Sequence, residues 1–511
     1  MSVQSPTELQ STQNANARRQ YGLTAAVVSL GWVFWVVGGM EMVERLAFYG
    51  VKAVAALYAT APRTEGGLGV SASKFGDVLM LWAFTQSLLP VIIGGLADRF
   101  GYKRTIFVST FIKIFGYLVM AWLPTYLGFL AGAILLATGT AIFKPGIQGT
   151  LVHVTRPENS SVAWGFFYQL VNVGGWFGPL LAAYLRTRLS WTWVFYACSG
   201  IIACNFVLLA TYREPERPAA PEQDKETSLW RVALRELLRL HVWTYLVAFT
   251  GFWFMFNALF DVLPLHVRDW VDTEQLVRFL FPSGRIQNPT FRFLLGSNPD
   301  GTRILPEGML NINAGLIMTT CFLVAYLGSK VRATTSMMLG TLFAIVAMFM
   351  IGFSTVGTIS ALAICIFSVG EMLSSPKFNE FMGNIAPPDK TAMYLGFSQI
   401  PLAIGWTLEG KLGPLLYDRL ASKERFAREL LLERGMRAVD IEQIPQGEAF
   451  ARLVTFTHES SAKLTHLLYE SHPVGAVWLI MAVFGVASVI GLSLYARFVI
   501  GRTPRVPRTS D

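Results

Sequence analysis

Apolar residues run along this chain in blocks of about 20, the length an α-helix needs to cross the hydrocarbon core of a bilayer. Twelve blocks are legible, near 26–58, 76–97, 105–123, 126–152, 162–184, 192–212, 242–264, 309–330, 336–354, 358–384, 393–417 and 474–498. Several are long enough to tilt or project beyond the membrane. They fall six and six around a polar interval, 213–240, proline-containing at first. Its second part, Leu229–Leu240, alternates Leu, Trp and Val with Arg231, Arg235 and Arg239, which predicts a basic amphipathic helix on the cytoplasmic surface.

Basic residues in the short loops at 98–104, 153–160 and 330–334, and in the C-terminal tail, place those segments and both termini on the cytoplasmic side. The expected organisation is a cytoplasmic tail (1–23), a six-helix bundle (24–212), the linker (213–240), a second six-helix bundle (241–498) and a cytoplasmic tail (499–511). Segments 265–308 and 418–473 of the second bundle then face outside. Apolar periodicity at Phe426, Leu430, Leu431, Phe450 and Leu453 predicts small helical caps in the latter.

Composition agrees with a polytopic membrane protein. Of 511 residues, 53% are hydrophobic and 15% charged, against roughly 25% charged in soluble domains. The net charge of +9 suits a chain between anionic headgroups and requires no nucleic acid. No cleavable signal peptide is visible ahead of the first block. Cys198, Cys204, Cys321 and Cys365 fall in apolar segments without disulfide or metal spacing and read as small packing residues. None of the six histidines lies deep in a block, which argues against a histidine proton relay. Without a Walker loop, dinucleotide fingerprint or hydrolase elbow, neither an ATP-driven pump nor an enzyme is expected, and no cofactor.

The candidate chemistry lies in the first block. Glu41, Glu44 and Arg45 are spaced i, i+3 and i+4, so a helix puts them on one face. Each charge at bilayer depth costs about 2.5–3.5 kcal/mol, so three together point to a functional site, with a purely structural ion pair as the alternative.

Two sets of motifs carry a family resemblance. Residues 94–104, Gly-Gly-Leu-Ala-Asp-Arg-Phe-Gly-Tyr-Lys-Arg, resemble the loop between the second and third spans of the major facilitator superfamily. The resemblance implies a gate latch built from Gly94, Asp98, Arg99, Gly101, Lys103 and Arg104. Gly328–Arg332 is a degenerate echo in the second half. More narrowly, Glu41-x-x-Glu44-Arg45-Leu-Ala-Phe-Tyr49-Gly50 resembles the first-span motif of the proton-dependent oligopeptide transporters. Gly139–Gly146, Phe167–Gly174 and Gly370–Pro376, with Ala386-Pro387 and Gly396, are similar to that family's fourth, fifth, tenth and eleventh spans.

That resemblance implies the major facilitator fold, an all-α membrane protein of twelve transmembrane helices in two six-helix bundles. It implies a proton-coupling cluster of Glu41, Glu44, Arg45 and Lys144, in which protonating a carboxylate frees a cation and shifts the inward/outward balance. It implies that Lys52 and Lys144 face a substrate carboxylate, that Asn172 bonds its backbone, and that Glu371 takes its ammonium. Duller roles stand beside two of these: Asn172 can bond a neighbouring helix, and Lys144 can cap carbonyls freed by Pro145.

The chain also departs from the family. Lys52 stands where an arginine is usual and lacks its bidentate fork; Ser87 replaces a tyrosine; Asn257 occupies an often acidic position. Asp261, four residues on, shares Asn257's helix face and is expected either to substitute for it or to sit at the outer mouth as a solvated charge. Glu409 and Lys411 read as interfacial.

The expected function is proton-coupled symport of di- or tripeptides or related zwitterions, by a monomer in the cell (inner) membrane whose partners are protons, a small-molecule substrate and the bilayer. An antiporter or exporter of drugs or metabolites is the alternative, and a non-transporting receptor the remote one.

Overall fold

The computed structural model describes residues 23–156, 159–214, 234–329, 331–385 and 391–498. The two tails, Ala386 and Pro387, and most of the expected amphipathic helix lie outside the described residues; Leu234–Leu237 of that helix is helical.

Among the described residues no β-strand occurs, and twelve helices reach 20 residues or more. They are α1 (Trp32–Thr60), α2 (Ala72–Phe100), α3 (Tyr102–Trp122), α4 (Tyr126–Val154), α5 (Ser160–Arg188), α6 (Trp191–Ala210), α7 (Leu240–Asp261), α8 (Pro306–Ser329), α9 (Ala333–Gly352), α10 (Gly357–Ile385), α11 (Gln399–Leu420) and α12 (Ala476–Phe498). Each apolar block overlaps one of them. The first block is not one continuous helix: Leu23–Val28 is separate, because Gly31 is extended (φ −72°, ψ 168°). The eleventh block likewise breaks between Thr391–Phe397 and α11.

Seven of the long helices, α3, α4, α6, α7, α9, α10 and α12, are long and apolar enough to cross a membrane. Helix α1 is not among them because Glu41, Glu44, Arg45 and Lys52 interrupt its apolar run. Prolines inside α2, α4, α5, α10 and α11 are tolerated where neighbouring helices cover the freed carbonyls.

Packing follows an internal repeat. Helix α1 packs on α5 and α6, as α7 packs on α11 and α12. Helices α3 and α4 pair as α9 and α10 do, α2 rests on α4 as α8 rests on α10, and α3 meets α6 as α9 meets α12. The two sets of six join chiefly through α2 against α11 and α5 against α8, the second helix of each set meeting the fifth of the other. Close approach needs small residues. A Cβ on Gly174 of α5 would fall 2.2 Å from the Met42 carbonyl of α1, and one on Gly178 would fall 2.6 Å from that of Leu46.

The insertions after α7 and α11 form one cap. The first contains helices Leu263–Trp270, Thr273–Leu280 and Pro289–Leu294; the second contains Lys423–Glu433, Ala438–Glu442, Ala449–Thr457 and Ser461–Ser471. Four of these seven helices are capped at the N-terminus, by the Asp272, Asn288, Ser422 and Ser460 side chains. Phe426, Leu431, Leu453, Leu464 and Leu468 bury the inner faces. Trp270 ties the insertions together, donating to the Ala421 carbonyl at 2.9 Å.

The four cysteines are free. Cys198 packs in the core as expected, but Cys204 does not, lying on an exposed helix face. His266 is fully buried just beyond α7, between the Ile351 carbonyl and the Trp478 indole.

Candidate functional site

Helix α1 carries two buried charge clusters along its length. In the first, Arg45 lies between Glu41 and Glu44, with Nε 3.0 Å from one carboxylate and Nη2 2.5 Å from the other. The second oxygen of Glu44 accepts from Lys113 Nζ of α3 at 3.3 Å and Thr140 of α4 at 3.2 Å. Glu44 and Lys113 are each 1% exposed. Two carboxylates thus meet two basic side chains, so the formal charges balance. Lys113 also lies over the Phe143 ring at 3.7 Å. Sequence reasoning missed Lys113, although a lysine midway along an apolar block is itself a signal.

Lys144, assigned to this cluster, is half-buried and makes no ion pair of its own among the described residues. It stands within electrostatic range of Glu41 and Glu44. The Glu44 contact that the resemblance gave to Lys144 is made by Lys113 instead.

In the second set, Glu371 of α10 is held by Asn313 of α8 at 2.9 Å, and Asn313 is itself bonded to Ser368 at 3.0 Å. Glu371 lies within electrostatic range of Tyr49 and Tyr168 on the opposite set. Asn172 commits one amide hydrogen to the Tyr168 carbonyl one turn back, at 2.9 Å. Asn257 likewise donates to Trp253 O at 2.7 Å.

The second cluster lies two turns further along α1 and crosses between the sets. Lys52 is ion-paired with Asp261 of α7 and stands over the rings of Trp82 and Trp406. Asp261 is 1% exposed, so it is not a solvated charge at a mouth, and a buried acid stands one turn beyond Asn257. Lys52, expected to face a substrate carboxylate, is instead committed to this pair. Glu409 of α11 is not interfacial either, being completely buried beside Asp261. Lys411, on the other face of α11, pairs with Asp77 of α2 and is partly solvated.

More links between the sets gather at the same end. Arg186 of α5 grips Glu307 of α8 with two bonds, Arg268 donates to Thr60 at 2.6 Å, and Thr64 donates to Glu448 of the cap at 2.8 Å. Among the described residues a further polar link between the sets, from the Gln169 amide to the Met318 carbonyl, lies nearer mid-height. The molecule is therefore drawn shut at the end of α1 that carries the cap. A cavity of about 480 Å³ remains beneath the cap, lined in part by Arg186, Arg268, Asp269 and Lys423. Burial opposes the Asp269 carboxylate, but the Arg268 guanidinium beside it, helped by Lys423 and the Tyr417 hydroxyl, holds it below the usual range. Burial pushes the Lys423 ammonium down to about 8, with Asp269 opposing.

At the other end, Gly101 adopts φ 103°, a conformation open to glycine, and so breaks the chain between α2 and α3. The Tyr102 amide donates to Glu214 at 2.7 Å, and Lys103 Nζ donates to the Tyr212 carbonyl at 2.7 Å. The loop is thus fastened to the end of α6, while Arg104 is exposed. The side chains of Asp98 and Arg99, and the surroundings of Gly94, lie outside what the structure describes.

Two joined six-helix sets with charges buried along their seam define a multi-pass membrane transporter. The family model of the Major Facilitator Superfamily matches residues 46–408, and the chain belongs to that family. The solved peptide transporter POT in complex with sulfate superposes with a TM-score of 0.65 at 15% identity, over 94% of this chain and 99% of that one. A POT family transporter in complex with 5-aminolevulinic acid gives 0.62 at 14%, over 90% and 98%. These likenesses establish a shared fold. By sequence, the chain is 25% identical over 354 residues to the multidrug resistance protein MdtH of Photorhabdus laumondii, covering 69% of this chain and 79% of that protein. It is 29% identical over 195 residues to the peptide transporter YePEPT of Yersinia enterocolitica, 37% of each chain.

Proposed function

We propose that the protein is a proton-coupled symporter of di- or tripeptides or similar small zwitterions, working by alternating access in the bacterial inner membrane. In this reading the twelve long helices are twelve spans in two bundles, 24–212 and 241–498, joined by a cytoplasmic linker at 213–240. The tails 1–23 and 499–511 are cytoplasmic, and the cap built from 265–308 and 418–473 faces outside. The present conformation is then closed outward.

The observation that carries the reading is the formally charge-balanced Glu41–Arg45–Glu44–Lys113 cluster. A proton arriving on either carboxylate leaves one cation in excess in a low-dielectric setting, which favours rearrangement of α1 against α3 and α4. Lys144 on one side and Glu371 on the other offer opposite charges to the two ends of a zwitterion. Substrate at the midplane between repeats suits the fold.

The test is uptake of a labelled dipeptide into proteoliposomes with an inward proton gradient, and with the gradient collapsed. Gradient-driven accumulation abolished by Glu44→Gln and reduced about 10- to 100-fold by Glu371→Gln is expected, the latter from the roughly 1.5–3 kcal/mol of a charged hydrogen bond. Unchanged accumulation in Glu44→Gln would refute the coupling role.

A second reading, drug export by antiport, is favoured by the longer match to MdtH than to the peptide transporter and by the altered residues Lys52, Ser87 and Asn257. Cells that lose a labelled drug faster on expression, without gaining dipeptide, would select it.

A further inference from the structure

Four fully buried polar atoms without a hydrogen-bond partner belong to the second cluster: Asp261 Oδ2, both carboxylate oxygens of Glu409, and Trp406 Nε1. Glu409 has 0% exposure. Its Oε1 is pressed over Gly413, and Val262, the residue after Asp261, borders the same spot. The charge count does not close. Lys52 supplies one positive charge, and Asp261 and Glu409 would supply two negative ones. Among the described residues, the other helices packed on α11 offer no spare cation near this junction. On α2, Asp77 is matched by Lys411 of α11 itself, and Lys74 lies over Tyr126. The ionisable groups of α12, Tyr495 and Arg497, and His241 of α7, sit at the far ends of their helices. Asp418, further along α11, belongs to the cap cavity.

Two buried carboxylates side by side, one with no donor, cannot both ionise against a single ammonium. We propose that Glu409 and Asp261 share one proton, making the Lys52–Asp261–Glu409 junction a second protonation site, one that latches α11 to α1 and α7. One hydrogen bond between the carboxyl groups then satisfies an oxygen of each, and the site is neutral. The proton comes from water on the cap side and returns to water. Its loss leaves a net negative charge and two repelling carboxylates between the sets, so the junction opens; its return closes it. The latch itself does not depend on what is transported, but its use in uptake rests on the symport reading above.

The experiment uses the full chain in liposomes. Infrared difference spectra across a pH titration should show a protonated-carboxyl band that disappears in Glu409→Gln and in Asp261→Asn but persists in Glu371→Gln. In parallel, the distance between spin labels on Glu65→Cys and Val439→Cys, with the native cysteines replaced, should lengthen as pH rises in the parent. It should stay short in Glu409→Gln, whose amide donates permanently to Asp261. A band untouched by both substitutions, or an identical pH response with and without Glu409, overturns the proposal. A Glu409-dependent band and distance change in a protein that accumulates no peptide would sink the symport reading alone.

Discussion

The two charge clusters of α1 sit two turns apart on one helix, and both are almost dry, yet they are built differently. The Glu44 cluster stays inside the first set of helices, joining α1 to α3 and α4, with two anions against two cations. The Lys52 cluster joins α1 to α7 and α11 in the second set, with two carboxyl groups against one ammonium. In the alternating-access reading proposed above, contacts within a set persist as the sets rock, whereas contacts between sets break in each cycle. A balanced network suits the first position because it need only shift. An unbalanced one suits the second, because a single proton can decide whether it holds.

This contrast can be broken experimentally. The largest effect is expected for Glu44→Leu, which leaves Arg45 and Lys113 buried with one carboxylate between them. Removing one partner of a buried pair costs about 3–5 kcal/mol, read as a large fall in thermal stability in detergent; a fall of less than a degree would mean that the cluster is hydrated. Next comes Lys52→Met, which should leave the fold intact but release the cap-side closure. A 10- to 100-fold shift toward the open state is expected, about 1.4–2.7 kcal/mol, measured by the same spin-label pair. Equal closure in parent and variant would show that Arg186–Glu307 and Arg268–Thr60 suffice.

A local effect, of a size comparable to the last, belongs to the cap, which has no part in either cluster. Lys423 has a folded-state value of about 8 against an ordinary 10.5, so between these pH values the folded chain binds fewer protons than the unfolded one. Cap stability should therefore rise from pH 8 to pH 10.5, by up to about 3 kcal/mol. Hydrogen-exchange protection in Lys423–Glu433, taken relative to the intrinsic rate at each pH, should increase over that window in the parent and not in Lys423→Met. A parent profile that is flat would place Lys423 in water.

Legibility in the sequence varied with the kind of question. Glu41, Glu44 and Arg45 were readable because helical spacing alone puts them on one face. Gly101 was readable because a sharp turn next to basic residues needs a left-handed backbone. Lys113 was not tied to Glu44, since it comes from another helix whose facing side depends on packing. Glu409 was misread as interfacial for a similar reason. Its place near the end of a block says nothing of α2 and α7, which cover it. Asp261 was left between two readings until Lys52 was found against it.

By itself the sequence determined the membrane-bound helical class, the six-and-six blocks and the charged face of α1. These follow from hydropathy and local periodicity, which each segment carries alone. Only the tertiary structure decided the repeat symmetry of the packing, the joining of two distant insertions into one cap, and the choice of partner for each buried charge. Packing between apolar helices requires small residues and matching surfaces rather than a fixed motif, so many sequences satisfy it. A buried ion, by contrast, takes its meaning from whatever the neighbouring helices bring within a few ångströms of it.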